Sequence, residues 1–93
     1  SWAWFMRASG WLSKGEPDNA IKDLTEAIRL EPSWAAPYNS RANAHAAKKD
    51  YDKAIDDYTE AIRIDPKYAL AYCNRGITWH DKKEYDKAIK DYD

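Results

Sequence analysis

Apolar residues recur along this chain at helical spacing, in two alternating stripes. Ala20, Ile21, Leu24, Ala27 and Ile28 fall at i, i+1, i+4, i+7 and i+8, one face of an amphipathic helix. Ala54, Ile55, Tyr58, Ala61 and Ile62 repeat that face. The second stripe is Trp4, Ala8 and Trp11, at i, i+4 and i+7, and it recurs as Tyr38, Ala42, His45 and as Tyr72, Gly76, Trp79. A large residue beside a small one on the same face suits close helix pairing, because the aromatic fills the space that Ala or Gly leaves.

The breaks fall where such helices need them. Pro32 and Pro66 end the second-type helices, since proline removes a backbone donor and clashes with the preceding turn. Ser33 is a candidate N-cap for the next helix, with Pro37 tolerated in its first turn, and Asp50 is a candidate cap further on. The stretches SKGEP, KKDY and KKEY are short polar turns. The pattern predicts six helices, over 2–14, 17–30, 34–47, 51–64, 68–81 and 84–93, the last one truncated.

The stretch DLTEAIRLEP at 23–32 returns as DYTEAIRIDP at 57–66, a step of 34 residues. Ala20, Ala54 and Ala88 fall in register, as do Ile21, Ile55 and Ile89, and Asp23, Asp57 and Asp91. A fixed period of this length, with two helices per unit, predicts an α-solenoid of antiparallel helix pairs. The units run 1–34, 35–68 and a partial 69–93, within a single domain at 1–93. The third unit stops before any counterpart of Ala27, Ile28 or Pro32, which leaves a stub too short to hold as a helix alone. That ending, and a start without Met, are what an excised piece of a longer array would show.

Composition narrows the function classes. Charged residues make up 33% of the chain, yet the net charge is −1, so there is no clustered positive excess for nucleic acid or an anionic membrane. No apolar run approaches the ~20 residues that span a bilayer, and no signal-peptide pattern opens the chain. The one cysteine, Cys73, excludes an internal disulfide. These features lead us to expect an intracellular, cytoplasmic module without cofactor or metal.

The units resemble the tetratricopeptide repeat (TPR) over essentially the whole chain. The family pattern has an aromatic at unit position 4, a small residue at 8, an aromatic at 11, alanine at 20, an aromatic at 24, alanine at 27 and proline at 32. Counted from Trp4, units one and two meet most of it. Departures are His45 at position 11, Leu24 at position 24, and Arg7, Arg41 and Arg75 where leucine is usual at position 7. Those arginines flank a buried stripe, where an unpaired charge is costly. Each is expected to lay its stem on the core edge and pair with Asp23, Asp57 or Asp91, within its unit or across to a neighbour.

The resemblance implies a superhelix whose concave face is lined by unit positions 2, 5, 9, 12 and 13, and at 100° per residue these lie away from the stripe of 4, 8 and 11. Here they are Trp2, Phe5, Ser9, Leu12 and Ser13; Ala36, Asn39, Asn43, Ala46 and Ala47; and Leu70, Cys73, Ile77, His80 and Asp81. The face is mostly apolar, and Asn39 and Asn43, one turn apart, suit hydrogen bonds to a peptide backbone. One family subtype clamps terminal carboxylates with Lys at 5 and Asn at 9 in unit one, Asn at 6 in unit two, and Lys at 2 and Arg at 6 in unit three. This chain has Phe5, Ser9, Ser40, Leu70 and Asn74 there, so that activity is not carried over.

Catalysis has little support. His45 sits on the core stripe and reads as a packed imidazole. Cys73 and His80 are seven residues apart, too far for a nucleophile–base pair and too few for a metal site. The expected function is a scaffold that binds a protein or peptide segment with apolar anchors. The alternative is a homo-oligomer formed by stacking of the open helical ends.

Overall fold

The computed structural model describes residues 2–84 together with 87, 90 and 91. Five α-helices follow one another: α1 (Trp2–Ser13), α2 (Pro17–Leu30), α3 (Ala35–Ala47), α4 (Tyr51–Ile64) and α5 (Ala69–Asp81). No strand occurs among the described residues. The expected sixth helix is not one of the five. Lys87, Lys90 and Asp91 are helical, while Ala88, Ile89 and Tyr92, on which that expectation rested, lie outside the described residues.

The same turn joins each first helix to its second. Glu16 N–H bonds Trp11 C=O at 2.9 Å and Gly15 N–H bonds Leu12 C=O at 3.1 Å. Asp50 to His45 with Lys49 to Ala46, and Glu84 to Trp79 with Lys83 to His80, repeat the pair of bonds. This paired closure satisfies the last carbonyls of the helix and requires a left-handed residue at its centre. Gly15, Lys49 and Lys83 occupy that place, with φ of 75°, 63° and 68°. Glycine takes this conformation freely, whereas the two lysines take it against the clash of Cβ with the backbone.

The caps depart from expectation. The N-cap of α3 is Trp34, extended at φ −94° and ψ 113°, and Ser33 lies one residue outside it. The reason is the turn Trp34 N–H to Glu31 C=O, 3.2 Å, which delays the helix start and sets the indole against Phe5, with ring centroids 5.0 Å apart. Tyr68 holds the same place before α5. Asp50 does precede α4, but its carboxylate makes no cap bond and faces Lys53 at 3.6 Å. Pro17 opens α2 and Pro37 lies in the first turn of α3, where no intrahelical donor is lost.

Alanines decide the packing. Ala8, Ala20 and Leu24 of the first pair are closed over by Ala44 of α3, with Phe5, Trp11, Leu12 and Ile21 around them. Ala42, Ala54 and Tyr58 form the contact of α3 with α4, and Ala35, Ala61 and Ala71 join α3, α4 and α5. Side chains this small let helix axes approach, so the core is built from backbone-to-backbone proximity filled in by aromatics. Tyr58 is the largest fully buried side chain; burial pushes its phenol up to about 12, and its hydroxyl donates to Asn43 Oδ1. Each helix packs on its chain neighbours. In addition α1 touches α3 and α3 touches α5, whereas α2 and α4 do not approach each other. The row of first helices is therefore the inner side of the curve and the second helices splay on the outer side.

Candidate functional site

Two periodic features stand on this frame, one structural and one open to solvent. The structural one is an arginine ladder. Arg7 Nε and Nη2 donate to Asp23 at 2.8 and 2.7 Å, Arg41 to Asp57 at 2.7 and 2.8 Å, and Arg75 to Asp91 at 2.8 Å twice. Each is a two-pronged fit between a planar guanidinium and a carboxylate within one unit. Each guanidinium also lies over the aromatic three residues earlier: Arg7 over Trp4, Arg41 over Tyr38 and Arg75 over Tyr72, at 4.8, 5.7 and 5.6 Å. Arg41 Nη1 reaches back to Thr25 at 3.3 Å, and Arg75 Nη1 to Thr59 at 3.1 Å, so the ladder ties successive pairs together. Trp11 Nε1 adds a third bond to Asp23 at 3.0 Å, and the Arg7 hydrogen bond leads the effects that hold the Asp23 carboxyl below its usual range.

The threonines escaped sequence reasoning, although their 34-residue spacing was visible in the two near-copies. So did a second set of links, Lys48 Nζ to Asp18 Oδ1 at 2.5 Å and Lys82 Nζ to Asp52 Oδ1. Position 11 of the second unit, His45, has Nε2 at 3.7 Å from Asp57 and is half-buried. Burial, the largest effect, holds its imidazole below the ordinary value, against the pull of the Asp57 charge.

The inner face divides the expected binding residues into two groups. Phe5 and Leu12 are half-buried on the core, and Phe5 is covered by Trp34. Asn39 is 4% exposed, which corrects the expectation that it offers hydrogen bonds to a ligand. It accepts from Asn74 Nδ2 at 3.4 Å, because α5 packs beside α3 there, and it bonds the Tyr68 phenol. Ala36 and Ala46 are half-buried, and Ser9 is exposed with its hydroxyl turned onto the Phe5 carbonyl at 3.3 Å. Asn43, Ala47, Leu70, Cys73, Ile77, His80, Asp81 and Ser13 are exposed. The Trp2 side chain lies outside the described residues. The open surface thus centres on Asn43 and on Leu70, Cys73 and Ile77, which share one face of α5. Leu70 and Ile77 keep 54% and 47% of their surface in solvent, large values for residues of this kind.

Among the described residues no group of three or more His, Cys, Asp or Glu is placed to hold a metal, and no helix is long and apolar enough to cross a membrane.

A family model described as "Tetratricopeptide repeat" matches residues 3–33, and one described as "TPR repeat" matches 42–82. The TPR2B domain of yeast Sti1, solved in complex with pHsp70, is 31% identical over 92% of this chain and 69% of its own, with a TM-score of 0.90. This chain belongs to the tetratricopeptide repeat family. Other TPR domains are similar throughout. The Arabidopsis OM64 TPR domain superposes with a TM-score of 0.94 at 28% identity, over 97% of this chain and 74% of that one. The second TPR of Spaghetti (RPAP3), bound to the HSP90 peptide SRMEEVD, gives 0.92 at 27%, over 97% and 83%. No curated protein sequence matches the chain significantly.

Proposed function

We propose that this TPR chain is a protein-interaction scaffold that takes a peptide segment along the inner face of its first helices, held by apolar anchors rather than by a carboxylate clamp. The observation that carries the proposal is the open strip Leu70, Cys73 and Ile77 on α5, beside the exposed Asn43. An extended or helical segment that buries two apolar side chains on Leu70 and Ile77 removes them from water and leaves Asn43 to meet its backbone. The similar TPR domains with HSP90 and Hsp70 peptides support peptide binding as the class of activity. Their acidic ligand is not proposed here, because Phe5, Ser9, Ser40, Leu70 and Asn74 offer no cation at the clamp positions.

The proposal divides the chain into units 1–34, 35–68 and 69–93. It assigns no catalysis: His45 is half-buried beside Asp57, and Cys73 and His80 lie on the surface of one helix. An intracellular setting suits the exposed free thiol of Cys73.

Fluorescence anisotropy against a peptide library tests the reading. Peptides with two apolar anchors bind, the double change Leu70→Ser with Ile77→Ser abolishes binding without moving the thermal midpoint, and SRMEEVD binds poorly. Tight capture of SRMEEVD, or apolar peptides indifferent to the double change, refutes the proposal. Sedimentation over a concentration series addresses the second reading, self-association through open helical ends.

A further inference from the structure

A buried phenol underlies the inner face at its middle unit. Tyr58 of α4 is 2% exposed, and its hydroxyl donates to Asn43 Oδ1 of α3. Thr78 of α5 is buried beside the same phenol and directs its own proton to the Asn74 carbonyl at 2.9 Å. Asn43 itself is exposed, although α1 and α5 both pack against α3. Its openness is therefore a property of the face and not of either end of the row. Ser9 and Ile77, one repeat away on each side, are exposed too. Their polar surroundings differ. The first unit has Leu24 where the second has Tyr58, and there Ser9 turns its hydroxyl onto the Phe5 carbonyl. Asn39 and Asn74 are engaged with each other. Asn43 has its oxygen held from inside the molecule, and its Nδ2 has no acceptor among the described residues.

We propose that Tyr58 is a positioning residue: it fixes the Asn43 amide with Nδ2 toward the groove, so that the site reads a free backbone carbonyl and takes an extended segment, not a helix. The inference rests on the peptide-binding reading above and narrows its ligand. An unrestrained asparagine offers a donor and an acceptor to a peptide. With Oδ1 engaged by the phenol, Asn43 offers its donor to the groove. A bound helix has its carbonyls tied to its own N–H groups, except in the last turn, and presents nothing for that donor along its length. A polyproline II stretch has no internal hydrogen bonds, so every carbonyl is available. The apolar anchors fit the same conformation. Leu70 and Ile77 are seven residues apart on α5, about 10.5 Å at the helical rise, and side chains three residues apart in polyproline II are about 9 Å apart.

The test begins on the free protein. In Tyr58→Phe the Asn43 side-chain carbonyl loses its donor, and its carbon-13 signal moves upfield by NMR; an unmoved signal overturns the orientation whatever peptides do. The probes are acetyl-Leu-Pro-Pro-Leu-amide, its counterpart with alanines for the prolines, and a stapled helical peptide with leucines at i and i+7. Each is titrated while the Asn43 Nδ2 protons are followed. The proline peptide shifts them and binds at least as tightly as the alanine one, since the added N–H groups meet no acceptor on Asn43; the helix leaves them in place. Asn43→Ala weakens the proline peptide by about fivefold, and Tyr58→Phe by about threefold. Asn43→Asp keeps an oxygen for Tyr58 but sets a second one against the peptide carbonyl, and weakens binding by about fiftyfold. A purely structural role predicts the reverse order, with Asp milder than Ala. That reverse order, or a helix that shifts the Nδ2 protons as strongly, overturns this inference and leaves the groove standing. A protein that binds none of the three probes refutes the groove reading and this inference with it.

Discussion

Replacing Asp57 by alanine isolates one rung of the arginine ladder. Asp57 accepts Arg41 Nε and Nη2 at 2.7 and 2.8 Å, and the two side chains keep only 10% and 21% of their exposure. Removing the carboxylate leaves a largely covered guanidinium with the Thr25 hydroxyl at 3.3 Å and the face of Tyr38. Exposed ion pairs contribute about 0.2–1 kcal/mol, and stranding one partner of a buried pair costs about 3–5 kcal/mol. A partly covered, two-pronged pair falls between, at about 2–3 kcal/mol. For a domain of this size that is a drop of about 10–20 °C in the thermal midpoint. Urea unfolding followed by circular dichroism measures it, with Glu60→Ala as the control, since Glu60 pairs with Arg63 in the open. The double change Arg41→Met with Asp57→Leu recovers most of the loss, because an apolar pair needs no compensating charge. Equal stability of the Asp57 and Glu60 variants refutes the reasoning, and so does a double variant no better than Asp57→Ala alone.

Two further outcomes follow from the same geometry. The folded state lowers the His45 proton affinity through burial, with Arg41 and Lys53 acting in the same sense and Asp57 and Asp50 against. The unfolded chain therefore binds the proton more readily near pH 6, so this contribution to stability is present above about pH 6.5 and is lost as pH falls through the lower folded value. His45→Gln flattens that slope between pH 5 and 7 in thermal melts; an unchanged slope assigns it to another group. Lys49 sits at φ 63° in a turn that Gly15 makes without penalty. Lys49→Gly raises stability by about 0.5–1 kcal/mol, the left-handed penalty less the entropy of glycine, and a destabilised variant in urea contradicts this.

The periodicity carried most of the architecture. Two amphipathic patterns at a 34-residue step, prolines at the unit ends and small residues opposite aromatics gave helix positions to within a residue or two for α1 to α5. What the periodicity did not carry was side-chain environment. Asn39 and Asn43 occupy equivalent faces one turn apart, yet Asn39 is buried against α5 while Asn43 is open, because α5 passes over one turn of α3 and not the next. Ser33 is the better capping residue by type, but the turn from Glu31 put Trp34 at the cap and used its ring to cover Phe5. The links between units, Arg41 with Thr25 and Lys48 with Asp18, join residues 16 and 30 apart and were hidden among many similar charges on helix surfaces.

Local chemistry thus determined that the chain forms paired helices, because hydrophobic spacing, proline placement and turn composition act within a few residues of themselves. Which polar groups are buried and which cations find partners across the units were decided by stacking. That step brings distant residues together at a separation set by helix packing, and no window of sequence contains it.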